Sequence, residues 1–148
     1  MENYRKQKAI ELFKQGYNCT QAILLAYCDL VDLDEKIAFK ISTGFGGGIA
    51  KLGKTCGAIN AAVMLISLRY AGTEKTDLDS KNKVIEMTRN FIVEFSRNHK
   101  GINCAELLTE ETDKRYTMHS EKCVNIIDEV CEPVSYTHLR AHETAANL

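Results

Sequence analysis

The single proline of this 148-residue chain is Pro133, so no proline interrupts the first 132 residues. Over that length apolar residues return every three or four positions, the spacing of one helix face, and no run alternates apolar with polar as a half-buried strand would. Glycine marks the breaks, at Gly16, at Gly44, Gly46, Gly47 and Gly48, at Gly72 and at Gly101. Such density is costly inside a helix, which places these residues in connections. The spacing predicts helices over 3–15, with Ala9, Ile10 and Phe13 inward, and over 19–30, burying Ala22, Ile23 and Ala26. A third, capped by Asp34, carries Ile37, Ala38 and Ile41 on one face. A fourth, over 56–72, is apolar nearly all round and belongs at the centre. In a fifth, Val84, Thr88, Phe91 and Phe95 step by four, three and four, with Ile85 and Ile92 beside them. Short helices follow over 104–108 and 120–131. The expected architecture is all-α, a compact bundle of five to seven helices with no sheet.

The end of the chain reads differently. Residues 133–144, Pro-Val-Ser-Tyr-Thr-His-Leu-Arg-Ala-His-Glu-Thr, resemble the translation of a transposase sequencing adapter. Residues 133–148 are therefore expected to be a non-native tail, leaving 1–132 as one helical domain. Setting the tail aside removes one base, Arg140, and one acid, Glu143, so the net charge stays at −1. That balance supplies no basic surface for nucleic acid or an anionic membrane. The most apolar run, 58–68, is too short to span a bilayer. The charged start, Met-Glu-Asn-Tyr-Arg-Lys-Gln-Lys, lacks an apolar signal region, so a cytoplasmic protein is expected.

Six cysteines in such a chain point to redox, metal or catalytic use rather than a structural disulfide framework. Three share a local word: Gly16-Tyr17-Asn18-Cys19, Gly53-Lys54-Thr55-Cys56 and Gly101-Ile102-Asn103-Cys104. Asn and Thr are favoured N-caps, so each cysteine is expected as a first helical residue. Cys123 follows Ser120 by three and falls in another first turn. A helix start favours thiolate over thiol, and thiolate is the nucleophile and the metal ligand. Cys28 sits mid-helix as a packing residue. Cys131 adjoins the tail. No C-x-x-C occurs, so neither a thioredoxin-like dithiol nor a zinc ribbon has its signature.

At Cys19, Cys56-Gly57-Ala58, Cys104 and Cys123 the sequence resembles the C_GCAxxG_C_C family, small proteins named for four cysteines and a C-G-A-x-x-G motif. The resemblance covers nearly all of residues 1–131. It implies a compact helical domain whose redox site is Cys19, Cys56, Cys104 and Cys123, with Gly57 and Ala58 as motif residues. The motif's last glycine is Ala61 here. Split-Soret cytochromes carry related cysteines, which keeps an iron–sulfur cluster in view, though this chain has no haem motif. Thiol–disulfide exchange or electron transfer is the first expectation, with Cys56 the most activated thiol beside Lys54 and Cys19 or Cys104 as its resolving partner. The alternatives are a module holding iron–sulfur or zinc on the same four cysteines, and a non-catalytic helical interaction protein. A redox partner is implied but not identified, a homodimer is an option, and no substrate follows.

Residues 48–55 also spell G-x-x-x-x-G-K-T, the phosphate loop of nucleotide hydrolases. That motif needs a strand before Gly48 and an acidic metal site behind it. The preceding segment has helical spacing, and Asn125-Ile126-Ile127-Asp128 is only an imitation of the second part. His99 and His119 lie five and four residues before Cys104 and Cys123, within range of a proton-donor role, though such histidines are more often surface residues at helix ends. Glu106, Glu110, Glu111 and Asp113 read as a solvated acidic face.

Overall fold

The structure, a computed structural model, describes residues 2–108 and 121–133. Seven α-helices account for most of them: α1 (Glu2–Lys14), α2 (Cys19–Tyr27), α3 (Glu35–Ser42), α4 (Gly57–Tyr70), α5 (Leu78–Ser96), α6 (Cys104–Leu107) and α7 (Glu121–Pro133). Two short 3-10 turns, Cys28–Val31 and Thr43–Phe45, extend α2 and α3. There is no strand among the described residues. The all-α expectation holds; of the expected tail, residues 133–148, Pro133 is the last residue of α7 and the rest lies outside the described residues.

The core is built on α2 and α4, the two helices without a charged face. In α2 every residue from Thr20 to Tyr27 is buried. In α4 Ala58, Ile59, Ala61, Ala62, Leu65 and Ile66 are at most 1 % exposed, which makes α4 the central helix that its composition predicted. The small residues on both let the backbones approach closely. α1, α3 and α4 pack on α2, and α7 lies across α1 and α4. α5 packs chiefly on α4 and buries only Phe91 and Phe95 there. Ile85, expected beside that stripe, is exposed. Arg5 clamps α1 to the end of α2, with Nη1 and Nη2 donating to the Asp29 carboxylate at 2.6 and 3.0 Å. Lys6 pairs with Glu132 and with Asp128 of α7.

The third helix corrects one expectation. Asp34 does cap it, its carboxylate accepting the Ile37 N–H at 3.1 Å. The inward stripe, however, is Ala38 and Ser42, four residues apart, while Ile37 and Ile41 face outward. α3 touches the bundle through α2, and two small side chains permit that approach better than two isoleucines.

Candidate functional site

Each of the four motif cysteines stands at the start of a different helix. Asn18 caps α2 as expected: its side-chain oxygen accepts the Gln21 N–H at 2.8 Å, and Gln21 Oε1 accepts the Asn18 N–H at 3.0 Å. Cys19 is thereby the first residue of α2. The Asn18 amide also donates to Ser42 O and Thr43 O, tying this corner to the end of α3. Asn103 begins α6 in the same way, with Glu106 Oε1 accepting its N–H at 3.3 Å, so Cys104 is again a first residue. Glu106, read from sequence as part of an acidic face, is thus a capping partner. Glu110, Glu111 and Asp113 lie outside the described residues.

Cys56 departs from the pattern. The cap of α4 is Cys56 itself, and Thr55 stands one step outside the helix. The reason is a bridge between remote segments. Thr55 pairs antiparallel with Asn103. On either side of that pair Cys56 N–H donates to Ile102 O at 2.7 Å and Cys104 N–H to Lys54 O at 2.6 Å, and Ala105 N–H donates to Gly53 O at 3.1 Å. Successive residues of an extended segment alternate in direction, so Cys56 and Cys104 leave the same side of this short ribbon, opposite Thr55 and Asn103. Forty-eight positions apart in sequence, they are neighbours through two backbone hydrogen bonds.

Gly57 brings in the third thiol. A Cβ on Gly57 would lie 2.5 Å from Cys19 Sγ and 2.5 Å from Thr20 Oγ1. Only a residue without a side chain lets the start of α2 reach the start of α4. Thr20 then donates its buried hydroxyl to Gly57 O at 3.0 Å and locks the contact. Cys123, in the first turn of α7, completes the set. All four cysteines line one cavity of about 400 Å³, together with Gly57, Ala58, Phe13, Leu107, Leu108 and Ile126. The four sequence-predicted cysteines therefore do come together, each from a different segment.

The remaining wall is the glycine-rich connection. Gly47, Gly48, Ile49, Ala50 and Lys51 have φ of 65°, 74°, 62°, 51° and 62°, five consecutive residues in the left-handed region. Three carry side chains, each at a cost of about 1–2 kcal/mol. Gly48 sits so close that a Cβ there would lie 2.6 Å from the Cys104 Cβ. This turn also disposes of the phosphate-loop reading. The amides of residues 49–54 all donate to backbone carbonyls of the chain itself, from Ile49 N–H on Phe45 O to Lys54 N–H on Gly48 O. A phosphate loop needs such amides unengaged and pointing at the ligand. No strand precedes it, and the Asp128 carboxylate is spent on Lys6. Nothing in the sequence Ile-Ala-Lys announces a left-handed backbone.

The electrostatics reverse another expectation. The start of α4 does act on Cys56, since the N–H groups of Ile59 and Ala58 favour its anion. Burial opposes them and is larger: Cys56 is 7 % exposed, and its thiol is pushed up to about 12, with repulsion from Cys104 and Cys123 adding to the rise. Cys19 is raised well above the ordinary range by burial, then by repulsion from Cys56, Cys123 and Cys104. The expected activation of Cys56 by its helix start is thus outweighed, and Cys56 and Cys19 both favour the neutral thiol. Lys54, expected to assist, does not line the cavity; Lys51 is the one charged residue among the described residues that does.

Cys28 packs as expected, buried in the 3-10 turn with its Sγ 3.5 Å from Leu25 O. Cys131, near the end of α7, is fully buried away from the cavity, and burial pushes it up to about 12 against a hydrogen bond with Tyr27. His99 stacks on Phe95 with ring centroids 4.1 Å apart and meets Glu129 at 2.7 Å, so it serves the α5–α7 contact and does not line the cavity. His119 lies outside the described residues. Thr20, Gln21 and Lys51 escaped the sequence reading, because their roles depend on contacts with remote segments.

Fold and site together define a class: a helical domain that gathers four cysteines from four separate segments around one cavity. The chain belongs to the C_GCAxxG_C_C family, described as "Putative redox-active protein", whose model matches residues 17–136. Neither a curated protein nor a solved structure matches the chain. No helix among the described residues is long and apolar enough to cross a membrane.

Proposed function

We propose that this protein is a thiol redox protein that cycles a pair of its cavity cysteines between dithiol and disulfide. The observation that carries this reading is the opening of Cys19, Cys56, Cys104 and Cys123 onto one cavity. Cys56 is the central member: it shares a ribbon with Cys104, its helix start abuts Cys19, and repulsion couples it to Cys104 and Cys123. Its partner is Cys19 or Cys104, because the Gly57 contact and the Thr55–Asn103 bridge hold those two beside it. Gly57 and Ala58 act by shape, permitting the approach of α2 and donating the amide that faces the Cys56 sulfur.

A metal or iron–sulfur centre would use the same donors. Among the described residues no group of three or more His, Cys, Asp or Glu side chains is arranged to hold a metal ion, and all six cysteines are free thiols, so experiment decides between the two. The test is mild oxidation of anaerobically purified protein followed by mass mapping, with metal analysis and a visible spectrum on the same sample. A disulfide joining Cys56 to Cys19 or Cys104 is expected. Modification spread evenly over all six cysteines, Cys28 and Cys131 included, would refute the reading. A bound cluster or stoichiometric zinc would replace it with the metal module.

A further inference from the structure

The cavity has a polarity that the cysteines alone do not explain. Its walls are mostly apolar, from Phe13, Leu107, Leu108 and Ile126. The one charged side chain lining it, among the described residues, is Lys51. Lys51 makes no ion pair among those residues. It is delivered there by the left-handed turn, at φ 62°, on a backbone that costs free energy at each of residues 49–51. Lys51 is exposed where it lines the cavity, and no carboxylate among the described residues pairs with it, so its charge is open to something that enters. Of the four cavity cysteines, the two least exposed residues, Cys56 and Cys104, are 7 % and 8 % exposed, too recessed for the disulfide of a folded protein. A cavity of about 400 Å³ instead suits a low-molecular-weight compound.

We infer that the redox partner of the cavity is a small disulfide carrying an anionic group, with an apolar body against Leu107, Leu108 and Ile126 and its anion on Lys51. This inference rests on the thiol redox reading and names the substrate class for it. The chemistry is a two-step exchange. Cys56 gives its proton to solvent, and its sulfur attacks one sulfur of the disulfide RS–SR. The RS–SR bond breaks, a mixed disulfide with Cys56 forms, and RS⁻ leaves and takes up a proton. Cys19 or Cys104 then loses its proton and attacks the Cys56 sulfur. The second RS⁻ leaves, is protonated, and a protein disulfide remains. Two protein thiols are oxidised and one small disulfide is reduced to two thiols. Lys51 acts as a specificity residue, holding the anion of RS–SR and of the departing RS⁻.

The test uses two aromatic disulfides of different charge, 5,5′-dithiobis(2-nitrobenzoate) and neutral 4,4′-dithiodipyridine, on wild type, Lys51→Gln and Lys51→Glu. Mass mapping follows which cysteines react. One interfacial charge typically shifts association severalfold, so Lys51→Gln should slow the anionic reagent about fivefold, and Lys51→Glu should slow it further. The neutral reagent should react equally with all three, which also shows that the variants keep their fold. Equal slowing of both reagents, or no change with either, would overturn the anion assignment while leaving the redox reading intact. If neither reagent reaches the four cavity cysteines ahead of Cys28 in wild type, the redox reading itself falls.

Discussion

Gly57→Ala is the most direct probe of how the site is assembled. The added methyl would lie 2.5 Å from Cys19 Sγ, 2.5 Å from Thr20 Oγ1 and 3.4 Å from Thr20 N. Non-bonded atoms settle at about 3.5–4.0 Å, so α2 and α4 must separate by roughly 1 Å or the two side chains must turn away. Overpacking of this kind costs about 1–3 kcal/mol. Turning Thr20 away strains its buried hydrogen bond to Gly57 O, whose loss costs about 1–3 kcal/mol. Alanine recovers up to about 1 kcal/mol through helix propensity. The net expectation is a loss of about 2 kcal/mol, or about 6–10 °C in Tm for a domain of this size. Thermal denaturation followed by circular dichroism measures it. A double-mutant cycle with Cys19→Ala isolates the sulfur: removing Sγ should relieve about half of the penalty, since Thr20 still obstructs the methyl. A Gly57→Ala protein melting within a degree of wild type would refute the close approach of Cys19 to the start of α4. A full penalty persisting in the Cys19→Ala background would refute the part played by the sulfur.

Three further outcomes follow from the same physics. A thiol pushed up to about 12 holds a thiolate fraction near 10⁻⁴ at pH 8, so Cys56 should be alkylated by iodoacetamide about 40-fold more slowly than an ordinary thiol, after allowing for its greater intrinsic nucleophilicity; a rate that plateaus below pH 9 would contradict this. Cys56 and Cys131 are both raised in the folded state, so the unfolded chain loses those protons first as pH climbs above about 9. Stability should therefore be intact below that pH and fall by about 1.4 kcal/mol per pH unit per thiol up to about 12, read as a falling urea midpoint that flattens partly in Cys131→Ala. Ala50→Gly should raise the urea midpoint by the equivalent of about 0.5–1 kcal/mol, because glycine accepts φ 51° without strain; a lower midpoint would mean that the Ala50 methyl contributes more packing than its backbone costs.

Much of the fold was legible because it depends on local signals. Asn18 and Asp34 cap the helices they were expected to cap, and Asn103 precedes the helix it was expected to begin. The apolar circumference of 57–70 put α4 at the centre. Failures arose where a remote segment decided the outcome. Thr55 looked like a cap, but its pairing with Asn103 held it in the ribbon and moved the cap to Cys56. Ile37 and Ile41 looked like a core face, but Ala38 and Ser42 fit the narrow gap to α2. The site divides in the same way. That four cysteines matter was visible in the word shared by three of them and in the family motif, which adds Cys123; that burial outweighs the helix start at Cys56 was not, because desolvation depends on everything packed around the sulfur. Lys51 carried no local mark at all.

The turn over residues 47–51 bears on chirality. An L-amino-acid chain here follows, for five residues, the path that its mirror image would take freely. Ile49, Ala50 and Lys51 are the wrong enantiomers for that path. A protein assembled by chemical ligation with D-alanine at position 50 should therefore be more stable than the natural chain, reversing the usual effect of a D-residue. Genetic drift has a narrower choice: of the twenty encoded residues, glycine relaxes such a backbone fully and asparagine in part. Isoleucine, alanine and lysine hold the wall of the cavity in place against a standing preference to unwind it.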